Sequence, residues 1–229
     1  MMEESPMSHS YGQLCGVATA MDVIGDRWSV LVIRDLLWGP LRFGDLADGL
    51  PGIGTNTLTA RLKLLESLDV VRRRVAPLPE RGTVYELTPY GRELEPILMA
   101  LGRWGSRSMD RLPAHTVSRS RWLVAAMLAF HDPTREVSRP TTWVLHLTDG
   151  EFTVEADGGR MSITPGAAQR PDAVVTASDE DLHRLLTGQV SAKAALADGS
   201  VSVDGPARAL AGLLALFDFS PAGSPSPVR

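Results

Sequence analysis

The apolar residues in the first half of the chain recur at helical spacing before changing to strand-like spacing. Apolar positions three or four residues apart predict helices, and Gly25 and the Gly39-Pro40 pair are typical stops between them. In the last of these helices, Leu58, Leu62 and Leu65 share one face. Four helices are predicted: from near Gln13 to Ile24, Arg27–Trp38, Arg42–Gly49 and Thr55–Leu68.

The period then shortens to two, which predicts a pair of strands. These strands are Val71–Val75 and Thr83–Leu87, joined by a loop over residues 77–82. One long helix is predicted to follow from Thr88-Pro89, because proline is tolerated in a first helical turn. A helix, a glycine-containing turn, a second helix and a two-stranded ribbon are, in this order, typical of a winged helix-turn-helix. The second helix of such a pair lies in the major groove of DNA.

Polar side chains of the fourth predicted helix and basic side chains of the ribbon are the candidates for contacting DNA. Asparagine pairs with adenine, threonine can contact a thymine methyl, and lysine suits a phosphate or a guanine. Arg61 lies nearer the apolar flank, which indicates a phosphate or an internal contact. Strand alternation puts Arg72 and Arg74 on one face and Arg73 on the other. Arg81, near the loop tip, is the best candidate for a contact with the minor groove or a phosphate. The predicted DNA-binding set is Thr55, Asn56, Thr57, Thr59, Arg61, Lys63, Arg72, Arg73, Arg74 and Arg81.

The alternative for the three consecutive arginines is a solvated strand edge whose charge opposes aggregation.

The chain of 229 residues has a formal net charge of −4, which argues against a uniformly basic surface. Between Thr55 and Arg81, however, six basic side chains stand against three acidic ones. This local excess suits a footprint on phosphates.

Composition excludes several other classes of protein. A single cysteine, Cys15, excludes an internal disulfide framework and any multi-cysteine zinc site. The longest apolar run, Trp122–Phe130, is far shorter than a membrane span, and residues 1–10 lack the apolar core of a secretory signal. We therefore expect a cytoplasmic protein without a membrane partner. No residue set supports catalysis, so we expect neither an enzyme nor a cofactor or metal.

The second half predicts an α+β domain with about five mainly antiparallel strands packed against helices. Alternating apolar residues mark three consecutive strands, separated by turns at Asp149-Gly150 and Gly158-Gly159. Ser178 is the predicted N-cap of a helix with three acidic residues in its first turn. We expect the domain boundary between residues 112 and 113, giving domains 1–112 and 113–229. Further elements are predicted at Arg119–Phe130, Val174–Thr176, Ser200–Val203 and Pro206–Phe217.

The first half resembles the HxlR-type winged-helix regulators over about Cys15–Arg107. The resemblance implies a transcriptional regulator, in our expectation a repressor, that forms a homodimer through the first and last helices of this half and reads two half-sites. Gly54-Thr55 stands where the family usually has Ser-Pro, and Asn56 stands where a basic residue is common. The matching segments are Cys15–Trp28, Leu36–Leu46, Leu50–Ile53, Thr57–Glu66 and Tyr85–Gly91.

Cys15 lies where some HxlR relatives carry a cysteine that senses oxidants or electrophiles. A single thiol near a dimer interface could form an intersubunit disulfide or an adduct. No basic residue within several positions offers a cause for a lowered pKa. A small buried core cysteine is the plainer interpretation, and a thiol-based sensor is the alternative.

The second half resembles the sterol-carrier-protein fold over about Trp143–Phe217. The resemblance rests on Asp149-Gly150, Asp172–Ala177, Leu185–Gly188 and Gly205. It implies an apolar tunnel between the sheet and the helices. Together with the first half, this favours a dimeric regulator controlled by a small apolar ligand. The rival hypothesis is a lipid carrier with a vestigial DNA-binding domain. The candidate lining residues either enclose a ligand or simply fill a core: Trp143, Leu145, Phe152, Met161, Leu186, Leu213 and Phe217.

Overall fold

The chain divides into two compact units, Met1–Leu98 and Met99–Arg229. The computed structural model describes residues 10–76, 82–109, 118–206 and 208–219. The domain boundary predicted between residues 112 and 113 lies outside the described residues. The division between the units falls within one helix, Glu95–Ser106.

The first unit surrounds a three-stranded sheet with short helices. Its order along the chain is α1 Gly16–Ile24, α2 Ser29–Leu36, β1 Leu41–Arg42, α3 Phe43–Gly49, α4 Thr55–Ser67, β2 Val71–Val75, β3 Thr83–Leu87, α5 Pro89–Arg92 and the start of α6 Glu95–Ser106, which continues into the second unit. The strands are antiparallel in the order β1-β3-β2, so β3 is central and β2 is an edge. This is the winged helix-turn-helix order predicted from the periodicity.

The core of the first unit forms where the apolar stripes of its helices meet one face of the sheet. Leu58, Leu62 and Leu65 of α4 are buried, as their spacing predicted. They join Val71 and Leu87, which pair directly across β2 and β3 and therefore share a face of the sheet. The opposite face of the strands points away from this core.

One local prediction for the first unit was wrong, and one short strand was not predicted. The helix expected from Thr88-Pro89 is broken into α5 and α6, because Pro96 has no N–H to donate to a carbonyl four residues back. Pro96 instead occupies the first turn of α6, where a missing N–H costs nothing. The two-residue strand β1 was not predicted, since two residues are too short to show a period.

The second unit is a five-stranded sheet with helices, and its α+β class was predicted correctly. Its elements are α7 Ser120–Phe130, β4 Val137–Leu147, β5 Gly150–Gly158, β6 Arg160–Pro165, β7 Ala173–Ala177, α8 Asp179–Leu186, α9 Ala192–Asp198, β8 Val201–Asp204 and α10 Ala209–Leu214. The strand order is β6-β5-β4-β7-β8, with only the β4–β7 pair parallel. Ser178 caps α8 as predicted, accepting a hydrogen bond from the Asp181 N–H.

Strand register gives this sheet one apolar and one largely polar face. Trp143 pairs with Val154 and Leu145 with Phe152, so these four side chains share a face, and all four are buried. The indole Nε1 of Trp143 donates to the carbonyl of Ala209 at the start of α10, 3.0 Å away. The apolar face therefore meets the helices and carries the core of the unit.

Candidate nucleic-acid interface

Helix α4 presents a polar face opposite its buried leucines. Thr55, Asn56 and Lys63 are exposed, whereas Thr57 and Thr59 are half-buried. The Thr59 hydroxyl donates to the Thr55 carbonyl at 2.8 Å, so it offers an incoming base its methyl group and a lone pair. The helix starts after Gly54 without a side-chain cap, which leaves its first N–H groups open.

Lys63 and Arg61 differ in their environments on the same helix. Lys63 forms no ion pair with any residue in the described ranges, so its charge remains available to a ligand. Arg61 lies 3.8 Å (Nη1–Oδ2) from Asp26 and is about two-thirds shielded. Of the two roles predicted for Arg61, the ion pair favours the internal contact.

The arginines of β2 are divided as strand alternation predicted, but they are also bound to carboxylates. Arg72 donates from Nε to Glu86 Oε1 at 2.8 Å, and its Nη2 lies 2.7 Å from the same oxygen. Arg74 donates from Nε to Glu86 Oε2 at 2.7 Å. Arg73 points to the other face, where its Nε lies 4.0 Å from Glu66. The three side chains therefore have separate environments and do not form one patch.

Glu86 is the centre of this arrangement, and the sequence pattern did not single it out. Its side chain is only 11% exposed, whereas the side chain of Arg72 is 61% exposed. The hydrogen bond from Arg74, helped by that from Arg72, holds the pKa of Glu86 below its usual value although burial acts the other way. Because 12 or 14 residues separate Glu86 from its partners, only the strand register reveals the contact.

Arg81, predicted to contact DNA from the loop tip, lies outside the described residues.

Cys15 is exposed, so its interpretation as a buried core residue was wrong. The backbone N–H groups of Ala18 and Val17 lower the pKa of the Cys15 thiol, which stands at the N-cap of α1. A helix N-terminus lowers the pKa of a thiol without any basic neighbour in the sequence.

The candidate lining residues of the second unit are largely brought together. Met161 pairs with Ala156 and so lies on the same face as Trp143 and the other strand residues of the set. Leu186 and Leu213 are buried on α8 and α10, and Phe217 is buried beyond α10. Met161 is half-buried and all the others are buried. This burial suits both a filled core and the wall of a cavity.

Comparison with known proteins agrees with this geometry. The model of the HxlR-like helix-turn-helix family matches residues 23–113. An uncharacterized HTH-type transcriptional regulator of Synechocystis sp. (strain ATCC 27184 / PCC 6803 / Kazusa) is 43% identical over 100 residues, covering 44% of this chain and 74% of the relative. The chain belongs to the HxlR-like helix-turn-helix family. It is thus a helix-turn-helix transcriptional regulator, as the first-half resemblance implied.

Other similarities cover either half of the regulator. The regulator YdeP of Bacillus subtilis (strain 168) is 34% identical over 98 residues, which is 43% of this chain and 77% of that protein. The solved structure of the redox regulator HypR in its reduced form is 32% identical, with a TM-score of 0.40, and covers 44% of this chain and all of that one. The model of the SCP-2 sterol transfer family matches residues 136–218.

Among the helices of residues 10–76, 82–109, 118–206 and 208–219, none combines the length and the hydropathy of a membrane span. Over the same residues, no group of three or more histidine, cysteine, aspartate or glutamate side chains could hold a metal ion.

Proposed function

We propose that the regulator binds operator DNA through α4 and the β2–β3 ribbon, as a homodimer, and represses transcription from the promoters it occupies. The observation that carries this proposal is the two-sided α4: three leucines anchor it in the core while Asn56 and Lys63 face outward. An α-helix fits the major groove of B-DNA, and asparagine reads adenine there through two hydrogen bonds. A basic strand directly after this helix supplies charge for the phosphates.

The homodimer is supported by two apolar stripes that the described chain leaves exposed. On α1 and just before it, Leu14, Val17 and Met21 are spaced by three and four residues, and Val17 is 72% exposed. On α6, Leu101 and Trp104 continue the stripe of Ile97, and no residue of this helix is buried. Each stripe is a surface that the same stripe of a second copy would cover, and in such a dimer each copy would present one α4 to one half-site.

Regulation by an apolar ligand in the second unit is the remaining part of the proposal. The support is the match of this unit to the SCP-2 sterol transfer family and the cluster of apolar side chains between its sheet and helices. A ligand would act only by binding one dimer geometry more tightly than the other, which changes the spacing of the two α4 helices. Native mass spectrometry of the purified chain tests this part, because a retained ligand adds a discrete mass.

Selection of bound sequences from a random DNA pool tests the DNA-binding proposal. The wild-type chain should enrich one sequence arranged as two half-sites. Asn56→Ala should lose discrimination at a single adenine position of each half-site, by about 1–3 kcal/mol, because one bidentate contact is removed. If the wild type enriched no sequence, the proposed function would be wrong.

Gln189→Ala is the matched control for Asn56→Ala. Gln189 is an exposed amide in the second unit, beyond the end of α8. Its variant should select the same sequence as the wild type. An Asn56→Ala variant that weakened binding to all sequences equally would show that Asn56 contacts the backbone and not a base.

A further inference from the structure

The outer face of the first unit's sheet carries a third arginine, Arg42, which no motif singled out. Arg42 ends β1 and stands directly opposite Val84 of β3, while Arg74 of β2 stands opposite Val84 from the other side. Directly opposed residues of antiparallel strands point to the same face. Arg42 and Arg74 therefore flank Val84 on the face that points away from the core.

Glu86 and Arg72 extend this group along the same face. Glu86 is two residues from Val84 on β3, and Arg72 is paired directly with Glu86. Val84 is only 5% exposed although it lies on the outer face, which fits shielding by the aliphatic stems of the arginines beside it. Three guanidinium groups and one carboxylate thus share one surface of a chain whose net charge is −4.

The four side chains have unequal roles. The single carboxylate of Glu86 receives Arg72 through two nitrogens and Arg74 through one. A guanidinium group has five N–H donors, so each of these arginines keeps donors for a second acceptor. Arg42 is exposed and forms no ion pair with any residue of the described ranges, and its Nη1 lies beside Gly82 at the base of the hairpin loop.

We propose that Arg42, Arg72 and Arg74 form one phosphate-binding cluster that contacts the DNA backbone, with Glu86 as the residue that holds Arg72 and Arg74 in position. This inference rests on the proposed DNA-binding function and deepens it. Phosphate oxygens match the forked donors of arginine. Fixing long side chains before binding removes part of the entropy cost of association, which gives a buried carboxylate a role beyond neutralising charge.

The test measures affinity for the selected operator and for a scrambled duplex by fluorescence anisotropy at several salt concentrations. Arg42→Ala should weaken binding to both duplexes by a similar factor and lower the slope of log K against log salt by about 1. Arg42→Lys, which keeps the charge, should restore most of that slope. Arg160→Ala, an exposed arginine of the second unit, is the charge-matched control and should leave both affinities unchanged.

The direction in which Glu86→Gln changes DNA affinity shows whether Glu86 positions Arg72 and Arg74 or only neutralises their charge. Removing a negative charge near phosphates should by itself tighten binding. Loss of the positions of Arg72 and Arg74 should instead weaken binding, and this is the result we expect. Thermal unfolding of the variant shows whether it is folded. An unchanged salt slope in Arg42→Ala, or tighter binding by Glu86→Gln, would overturn this inference alone. Failure of the wild type to bind any operator would overturn the proposed function and this inference with it.

Discussion

At the scale of single residues, Gly91 shows how closely the ribbon and α5 are packed. A Cβ placed on Gly91 would lie 2.0 Å from the carbonyl oxygen of Val70 and 3.3 Å from a methyl group of Leu87. The Gly91 N–H donates at 3.0 Å to the hydroxyl of Thr88, which itself donates to the carbonyls of Asp69 and Val70. The backbone of α5 is therefore fixed against the start of β2.

Gly91→Ala should destabilise the first unit. Because the severe clash is with the backbone carbonyl of Val70, relief requires a shift of the α5 backbone, and we expect a loss of about 1–3 kcal/mol or more. Gly44→Ala is the matched control: Gly44 is an exposed helical residue whose added Cβ meets nothing within 4 Å. Hydrogen exchange of the β2 and β3 amides measures the difference, and equal protection in both variants would contradict the packing.

At the scale of elements, a small polar network joins two helices and a turn of the second unit. The buried Ser120 hydroxyl at the start of α7 donates to Asp179 Oδ1 at the start of α8, 2.6 Å away. The same hydroxyl accepts from the Asp149 N–H in the β4–β5 turn at 2.9 Å. The N–H of Asp179 donates back to Thr148 Oγ1 at 3.2 Å. Three elements distant in sequence thus depend on one serine.

Ser120→Ala should cost the second unit about 1–3 kcal/mol, because it leaves a buried carboxylate oxygen and a turn N–H without this partner. Urea unfolding followed by hydrogen exchange in α7 and α8 measures the loss. Ser162→Ala is the control, since Ser162 is exposed on β6, and it should change stability by no more than about 0.5 kcal/mol. A loss as small as the control's would show that the network is replaced by water.

At the scale of the whole molecule, the exposed stripe of α6 is the surface on which the proposed homodimer is tested. Trp104 is 68% exposed and Leu101 is 47% exposed in the single chain, which is unusual for large apolar side chains at helical spacing. In the proposed homodimer, a second copy covering this stripe would bury them. A dimer that reads two half-sites needs its two α4 helices spaced by one turn of DNA, about 34 Å, or a multiple of it.

If the proposed homodimer pairs through α6, Leu101→Glu should make the chain a monomer at micromolar concentration, because a charge would be buried in that interface without a partner. Sedimentation velocity measures the change, and operator affinity should fall with it. Leu196→Glu is the control, an apolar residue of α9 with a similar exposed fraction of 40%. A Leu101→Glu variant that stayed dimeric would exclude α6 from the interface.

Most helices and strands, and the family of each half, could be predicted from the amino-acid sequence alone. Helical and strand periods record which side of each segment is buried, so the faces of α4 and β2 and the α+β class of the second unit could be predicted locally. The break between α5 and α6 was not predicted, although the proline that explains it, Pro96, is visible in the sequence. The resemblance of each half to a known family is confirmed by the family models that match residues 23–113 and 136–218.

Which charges are already paired depends on the tertiary structure. Arg72 and Arg74 look equivalent to Lys63 in the sequence, yet strand pairing binds both to Glu86 and leaves Lys63 without an ion pair in the described ranges. Arg42 reaches the same sheet face only because β1 pairs with β3. A charge pattern along the chain records residue types, whereas pairing and burial depend on register between segments a dozen or more residues apart.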